Sequence, residues 1–422
     1  MSSQAAELTA PQKIWRRRAF ASTWVCYAGY YFCRKAWGIV SAAVGEAHGL
    51  DASTLGWIAT AFIVAYTVGQ FISGWAGQRL GARRLLLGGM ALSILAHGAL
   101  GFANSTSTFV VFMVVNGLAQ STGWCATVAT MARWFHRSER GFVMGFWATC
   151  YQVGGVLAKG LAAWSIGALG YRYAFFTGSL VVVGVWVVVY FYQRNGPSDV
   201  GLDELEDFQE GAQVAPEAGS TWDRSTLTSV LLVGVFYFFV KFIRYAIDYW
   251  VPYLFHHHFG LDFAEAGYLS LLFDLFGVGG VIAIGYASDK WFSGRRARIS
   301  LLAVVGMVGA CFVLATGGGE SVALFAFALG LVGFTLYGPD ALMSGAAAID
   351  IGTPRQAALA AGIINGMGSV GGALQGPVIG SLLDDPGGAT ERVLWLLVAA
   401  SVAAAATLGV VVWRNHKGWS DV

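Results

Sequence analysis

The chain has 422 residues, 56% of them hydrophobic and only 12% charged, and its mean hydropathy is +0.60. An ordinary soluble domain carries roughly 25% charged residues, so this composition excludes a soluble globular protein and defines a polytopic membrane protein. The net charge of +2 selects no polymeric partner, and no nucleic-acid target is expected. The five cysteines (Cys26, Cys33, Cys125, Cys150, Cys311) are odd in number, scattered and inside apolar segments, without metal-ligand spacing. Neither a disulfide framework nor a metal site is predicted.

In chain order, Trp15-Arg-Arg-Arg18 leads straight into a long apolar run and reads as an uncleaved insertion signal. Windows of about 20 residues predict spans near 20–43, 54–77, 84–103, 107–134, 142–166 and 173–193. Six more follow near 227–254, 264–287, 299–317, 321–348, 357–383 and 393–413. Between the sixth and seventh lies a long polar segment containing Asp203-Glu-Leu-Glu-Asp207. It reads as a solvated linker, which divides the chain into 1–192, the linker 193–226, and 227–422. Of 26 Lys and Arg residues, Arg34, Lys35, Lys159, Lys241 and Arg244 fall in spans, Arg172 and Arg392 on one side, and the remaining 19 on the other. That bias predicts cytoplasmic termini and a cytoplasmic linker.

Two arginines, Arg34 in the first span and Arg244 in the seventh, are costly. A guanidinium in hydrocarbon costs at least a few kcal/mol unless it faces a protein-lined cavity. Its planar fork suits phosphate or carboxylate oxygens taken two at a time. The pair therefore predicts an anion receptor.

Basic clusters recur at equivalent places, Arg79, Arg83 and Arg84 after the second span and Lys290, Arg295, Arg296 and Arg298 after the eighth. Gly285-Tyr-Ala-Ser-Asp289-Lys290 resembles the conserved cytoplasmic loop of the major facilitator superfamily, in which the aspartate caps or pairs with a helix end as part of a gate. The first-half counterpart carries Gln78 where that superfamily has aspartate, which implies a weaker latch there. The resemblance implies an all-α membrane protein of twelve transmembrane helices in two six-helix pseudo-symmetric halves, with substrate bound between them.

Within the superfamily the chain is similar to the organophosphate:phosphate antiporters. Four segments carry this: Tyr27-Ala-Gly-Tyr30-Tyr31-Phe-Cys-Arg34-Lys35; Asn116-Gly-Leu-Ala-Gln120-Ser-Thr-Gly123-Trp124, continuing to Arg133-Trp134-Phe135 and Glu139-Arg140-Gly141; Asn195-Gly-Pro197-Ser-Asp199-Val-Gly201-Leu202; and Tyr337-Gly338-Pro339. The resemblance implies that Arg34 and Arg244 bind one phosphoryl group from opposite halves. It also implies exchange of an organophosphate for inorganic phosphate, with no cofactor, by a monomer in a bacterial inner membrane. No enzyme activity is expected, because the sequence offers no nucleophile with its base, no metal set and no soluble catalytic domain. A proton-coupled symporter and a membrane sensor of phosphorylated metabolites are the alternatives.

Other polar residues inside spans complete the expected site. Lys35 either pairs with an acid such as Asp248 or Asp274 or contacts substrate. Lys241, three residues before Arg244 and near the same helix face, either extends the anion site or pairs with an acid. Tyr27, Tyr31 and Tyr66 are either cavity phenols or packing residues, and Tyr151 and Gln152 are either neutral donors to substrate or interfacial packing residues. Asp340 either balances Lys241 or selects a cationic or hydroxyl group of the substrate, pairing being the favoured reading. Lys159 is expected to snorkel to the interface without function. The run His256-His257-His258 cannot direct all three rings at one ion. Relative to glycerol-3-phosphate transporters, Lys241 replaces a tyrosine, Tyr151 a histidine and Gln70 a lysine, which points to a different organophosphate.

Overall fold

The computed structural model describes residues 8–136, 143–144, 146–204, 224–292, 296–343, 354–385 and 389–418. Among them the regular structure is helical. The first six crossings comprise α1 (Ala10–Tyr30), α2 (Ala36–His48), α3 (Ala52–Leu80), α4 (Ala82–Leu100), α5 (Thr106–Gln120), α6 (Thr122–Trp134), α7 (Thr149–Leu169) and α8 (Tyr171–Tyr192). The last six are α9 (Arg224–Phe259), α10 (Phe263–Trp291), α11 (Arg296–Thr316), α12 (Val322–Ala341), α13 (Pro354–Leu383) and α14 (Ala389–His416). The pairs α1–α2 and α5–α6 each make one interrupted crossing, which gives twelve. Eight of the twelve are long and apolar enough to cross a membrane by length and composition alone.

Local chemistry fixes many of the ends. Thr9 and Gln12 form a capping box with Pro11 in the first turn, so α1 begins about ten residues before the apolar run does. Asp51, Ser105, Asp262 and Ser321 cap α3, α5, α10 and α12 through their side chains. The segment after α8 folds back on the first six crossings. Asn195 Oδ1 accepts from Arg83 N–H at 2.8 Å, and Arg133 binds Ser198 and Glu204.

The two sets of crossings meet through α3 with α13, α7 with α10, and α2 with α9 and α10. The tightest approach is Gly56 against Gly376. A Cβ on either glycine would strike the backbone of the other, so the helices touch with no side chain between them. Beside this contact Thr60 Oγ1 donates to Ala373 O at 2.7 Å. Asp384, from the last set, accepts Ala52 N–H at 2.8 Å and Ser53 N–H at 3.0 Å, capping α3 in trans. All these contacts lie toward the membrane end away from the segment between α8 and α9, so that end is the closed one.

Candidate functional site

The first crossing is not a continuous α-helix. Between α1 and α2 the chain tightens into a 3₁₀ turn, Tyr31–Cys33, with Arg34 and Lys35 immediately after it. Such a turn frees backbone groups, which must be satisfied inside a membrane. Here side chains do so: Asn116 Nδ2 donates to Cys33 O at 2.7 Å and Gln120 Nε2 to Tyr30 O at 2.9 Å. Ser93 joins the two amides, donating to Asn116 Oδ1 at 2.7 Å and accepting from Gln120 at 3.0 Å. With its nitrogen committed, Gln120 turns its oxygen to Arg34, whose Nε donates to it at 3.0 Å. The buried amide network thus aims Arg34.

Arg34 has no carboxylate partner among the described residues. Its guanidinium carbon lies 4.7 Å from the Tyr66 ring centroid, 5.2 Å from Tyr31 and 6.0 Å from Tyr27. Aromatic faces stabilise the cation without neutralising it. Its Nη2 is buried and makes no hydrogen bond, an expensive state for a donor of this strength.

Arg244 differs. Its Nη1 lies 2.6 Å from Asp340 Oδ2, and its head sits 4.8 Å from the Tyr337 ring. The expected partner of Asp340 was Lys241. Lys241 lies one turn earlier on α9 and instead donates to Asn365 Oδ1 at 3.2 Å, 5.0 Å from the Tyr237 ring.

Between the arginines runs a chain of buried charges. Lys35 Nζ reaches Asp248 Oδ2 at 2.5 Å. The other oxygen of Asp248 meets Lys159 Nζ at 2.8 Å, and Lys159 also meets Asp274 Oδ2 at 2.5 Å. Asp274 Oδ1 accepts from Tyr337 O–H at 2.6 Å. The snorkelling expected of Lys159 is therefore overturned. It is 1% exposed, and α7 packs on α10, so its amine points into the interior rather than along the lipid face. Lys35 and Lys159 come from the first set, Asp248 and Asp274 from the last, so the chain ties the two sets together.

A narrow cavity is lined by Tyr31, Arg34, Lys35, Arg244, Asp248 and Tyr249, among others. A smaller adjoining cavity shares Tyr31, Lys35 and Arg244 and adds Tyr151, Gln152, Asp274 and Tyr337. The two arginines thus face one space. Tyr27 lies behind it, its ring 5.1 Å from that of Tyr151, and Tyr66 lies over Arg34. Gln70 lines neither cavity. The side chains of Asp289 and Gln78, and all of Arg295 and of Glu139-Arg140-Gly141, lie outside the described residues. Gln120, Asn116, Lys159 and Tyr245, the last of which lines the larger cavity, were missed as site residues. For Gln120 and Asn116 a signal existed, because a primary amide deep in an apolar helix needs buried partners.

Fold and site define a class: a multi-pass membrane protein whose two sets of crossings close over a central cavity lined by cations. The model of the Major Facilitator Superfamily matches residues 20–376. Sugar phosphate exchanger 3 of Xenopus laevis is 31% identical over 76% of this chain and 72% of its own length, and the human protein of that name is also 31% identical, over 78% and 74%. Glucose-6-phosphate exchanger SLC37A2 of Xenopus laevis is 28% identical over 86% and 81%. The chain belongs to the Major Facilitator Superfamily and, within it, to the organophosphate:phosphate antiporter family. Among solved structures, an inward-facing bacterial homologue of the lysosomal transporter Spinster superposes with a TM-score of 0.75 at 13% identity, covering 96% of this chain and 98% of that one. A D-xylose-proton symporter gives 0.71 at 15%, over 92% and 96%. These two likenesses concern the fold alone.

Proposed function

We propose that the protein exchanges a sugar phosphate for inorganic phosphate by alternating access, and that Arg34 and Arg244 hold the phosphoryl group between the two sets of crossings. The observation that carries this reading is the state of Arg34: a half-buried guanidinium aimed by Gln120, caged by tyrosines, with a buried donor unused and no carboxylate partner among the described residues. The charge balance of the site agrees. Among the described residues, Arg34, Lys35, Lys159, Lys241 and Arg244 stand with Asp248, Asp274 and Asp340, an excess of two positive charges. A phosphate monoester dianion supplies the missing two. Without it the cations of the opposed sets repel across a low-dielectric space, and with it they are drawn together. Substrate thereby promotes the switch, which favours exchange over net leak.

The sugar comes from the relatives' names together with the neutral donors around the cavity. Tyr151 and Gln152 line the smaller adjoining cavity, and Lys241 and Asn365 stand one turn from Arg244. These groups suit hydroxyls, and Lys241 suits an additional anionic substituent. We further propose that segments 1–192 and 227–422 act as the two moving bodies, with 193–226 as their linker. The termini and the linker would be cytoplasmic in a bacterial inner membrane, given the basic residues on that side. The protein would work as a monomer, without enzymatic chemistry.

Proteoliposomes loaded with phosphate should take up labelled phosphate, and external glucose 6-phosphate should compete. Exchange should fall at least ~10-fold in Arg244→Ala, the loss expected for one charge-assisted hydrogen bond. Equal uptake by liposomes with and without internal phosphate would refute exchange.

A further inference from the structure

Far from the central cavity, at the closed end, α2 and α9 bring together Glu46, His256 and His257. One donor atom from each lies within 4.8 Å of the others. Glu46 and His257 are exposed and His256 half-buried, so ions in the surrounding water reach all three.

The ring of His256 is held in one orientation. Helix α9 ends at Gly260, which adopts φ 68°, the left-handed conformation that glycine accepts readily. Gly260 N–H donates to His256 O at 2.9 Å and Leu261 N–H to Phe255 O at 3.4 Å, which folds the Leu261 carbonyl back over the helix end. That carbonyl lies 2.6 Å from His256 Nδ1. A carbonyl only accepts, so Nδ1 carries the proton. Phe263 stacks on the ring at 4.0 Å between centroids and fixes its plane.

In a neutral His256 the other nitrogen, Nε2, therefore presents a lone pair, and it lies 2.8 Å from Glu46 Oε1. Two acceptors at that distance require a cation on or between them. An imidazole oriented by a carbonyl through one nitrogen and open at the other is also the arrangement that supports histidine metal ligands. His257, its ring 5.0 Å from that of His256, supplies a third donor. His258 turns away to Gly319 O, 3.1 Å distant. The run of three histidines thus divides, and two of them face a carboxylate from the other set of crossings.

We propose that Glu46, His256 and His257 form a site for a divalent transition-metal ion, with Zn²⁺ as the best fit, and that the bound ion fastens the two sets of crossings together at the closed end. Two imidazoles and a carboxylate suit Zn²⁺ rather than Mg²⁺ or Ca²⁺, and they leave a coordination position for water. Tetrahedral ligands at zinc distances lie about 3.3 Å apart, so Glu46 moves outward slightly and the His257 ring turns inward. These are side-chain adjustments at exposed positions. Since the donors come from both sets, the site exists only while this end is closed. A ligand that binds one state alone shifts the population to that state, so the ion stabilises the protein and slows its cycling.

The test is binding by the purified full-length protein in phosphate-free buffer, which is independent of what the central cavity carries. Thermal unfolding under increasing ZnCl₂, against an EDTA control, should show a concentration-dependent rise in Tm that MgCl₂ does not produce. Glu46→Gln, His256→Ala and His257→Ala should each weaken the Zn²⁺ dependence ~10-fold or more, and His258→Ala should leave it unchanged. His257 takes part through ring contacts alone, so His257→Ala keeps the informative comparison available if Glu46→Gln or His256→Ala is poorly folded. Absence of a Zn²⁺-dependent shift, or a shift equal to wild type in His257→Ala, would overturn the proposal and leave a proton as the cation between Glu46 and His256.

Discussion

Arg34 and Arg244 are the same residue type in two electrostatic states. Arg244 is neutralised by Asp340 at 2.6 Å, whereas Arg34 is held by an amide and by aromatic faces. On the proposed function, an incoming phosphoryl group would gain most from Arg34, which has no carboxylate to displace among the described residues, and at Arg244 it would compete with Asp340. Lys159 has the opposite character, a cation whose work is internal. Its removal would leave Asp248 and Asp274 buried with Lys35 as the remaining close amine. Breaking a buried charge pair costs about 3–5 kcal/mol, so Lys159→Met should lower the apparent Tm in detergent steeply. Adding Asp274→Asn should recover much of the loss, because the stranded charge is then gone as well. A Tm equal to wild type in Lys159→Met would show that the network is not load-sharing.

At the scale of elements, two helix ends matter most. The tightened turn after α1 places Arg34 and Lys35 at the start of α2, and Gln120 and Asn116 compensate the carbonyls it frees. The start of α3 is capped twice, by its own Asp51 and, from the other set, by Asp384. Asp51 sits outside the membrane span, and the Thr54 hydroxyl, together with the Thr54 N–H, holds its carboxyl below the usual range. Its stabilising effect is therefore present above the ordinary aspartate pKa and is lost as pH falls through the depressed value. Asp384→Ala removes the cap that links the sets while leaving Asp51 in place. It should raise alkylation of a cysteine introduced at Ser53 several-fold, the closed end opening more often, and unchanged alkylation would count against Asp384 as part of the seal.

These elements also show how much was legible in the sequence. Twelve spans followed from apolar runs, because a bilayer imposes length and hydrophobicity on anything that crosses it. The start of α1 was written in Thr9-Ala-Pro-Gln12, yet hydropathy windows report burial in lipid rather than helix ends, and they placed the span near residue 20. The two arginines stood out because charge in hydrocarbon is costly wherever the side chain points. The role of Lys159 was not legible. Snorkelling and burial differ only in which way α7 turns its face, and that depends on α10, more than a hundred residues later in the chain. Asp340 was assigned to Lys241 when Arg244, one turn away on the same helix, was equally within reach; spacing alone could not separate them.

For the whole molecule, every contact described between the two sets lies at or beyond the level of Lys35 and Asp248, on the side away from the linker. The molecule is sealed at one end and joined at its middle by the Asp248 and Asp274 network. Alternating access requires that the seal between α3 and α13 part. Joining Thr60→Cys and Ala373→Cys with a short thiol crosslinker should abolish exchange, and reductive cleavage of a disulfide-containing linker should restore it. Undiminished exchange after complete crosslinking would exclude movement at that seal.

The claim on which the rest depends is that Arg34 is the receptor for the phosphoryl group. Calorimetric titration of inorganic phosphate into the purified protein tests it most directly. Wild type should bind, Arg34→Ala should bind at least ~10-fold more weakly, and Arg34→Lys should remain impaired, because a point charge does not reproduce the planar fork. Phosphate affinity in a folded Arg34→Ala protein equal to that of wild type would contradict the account.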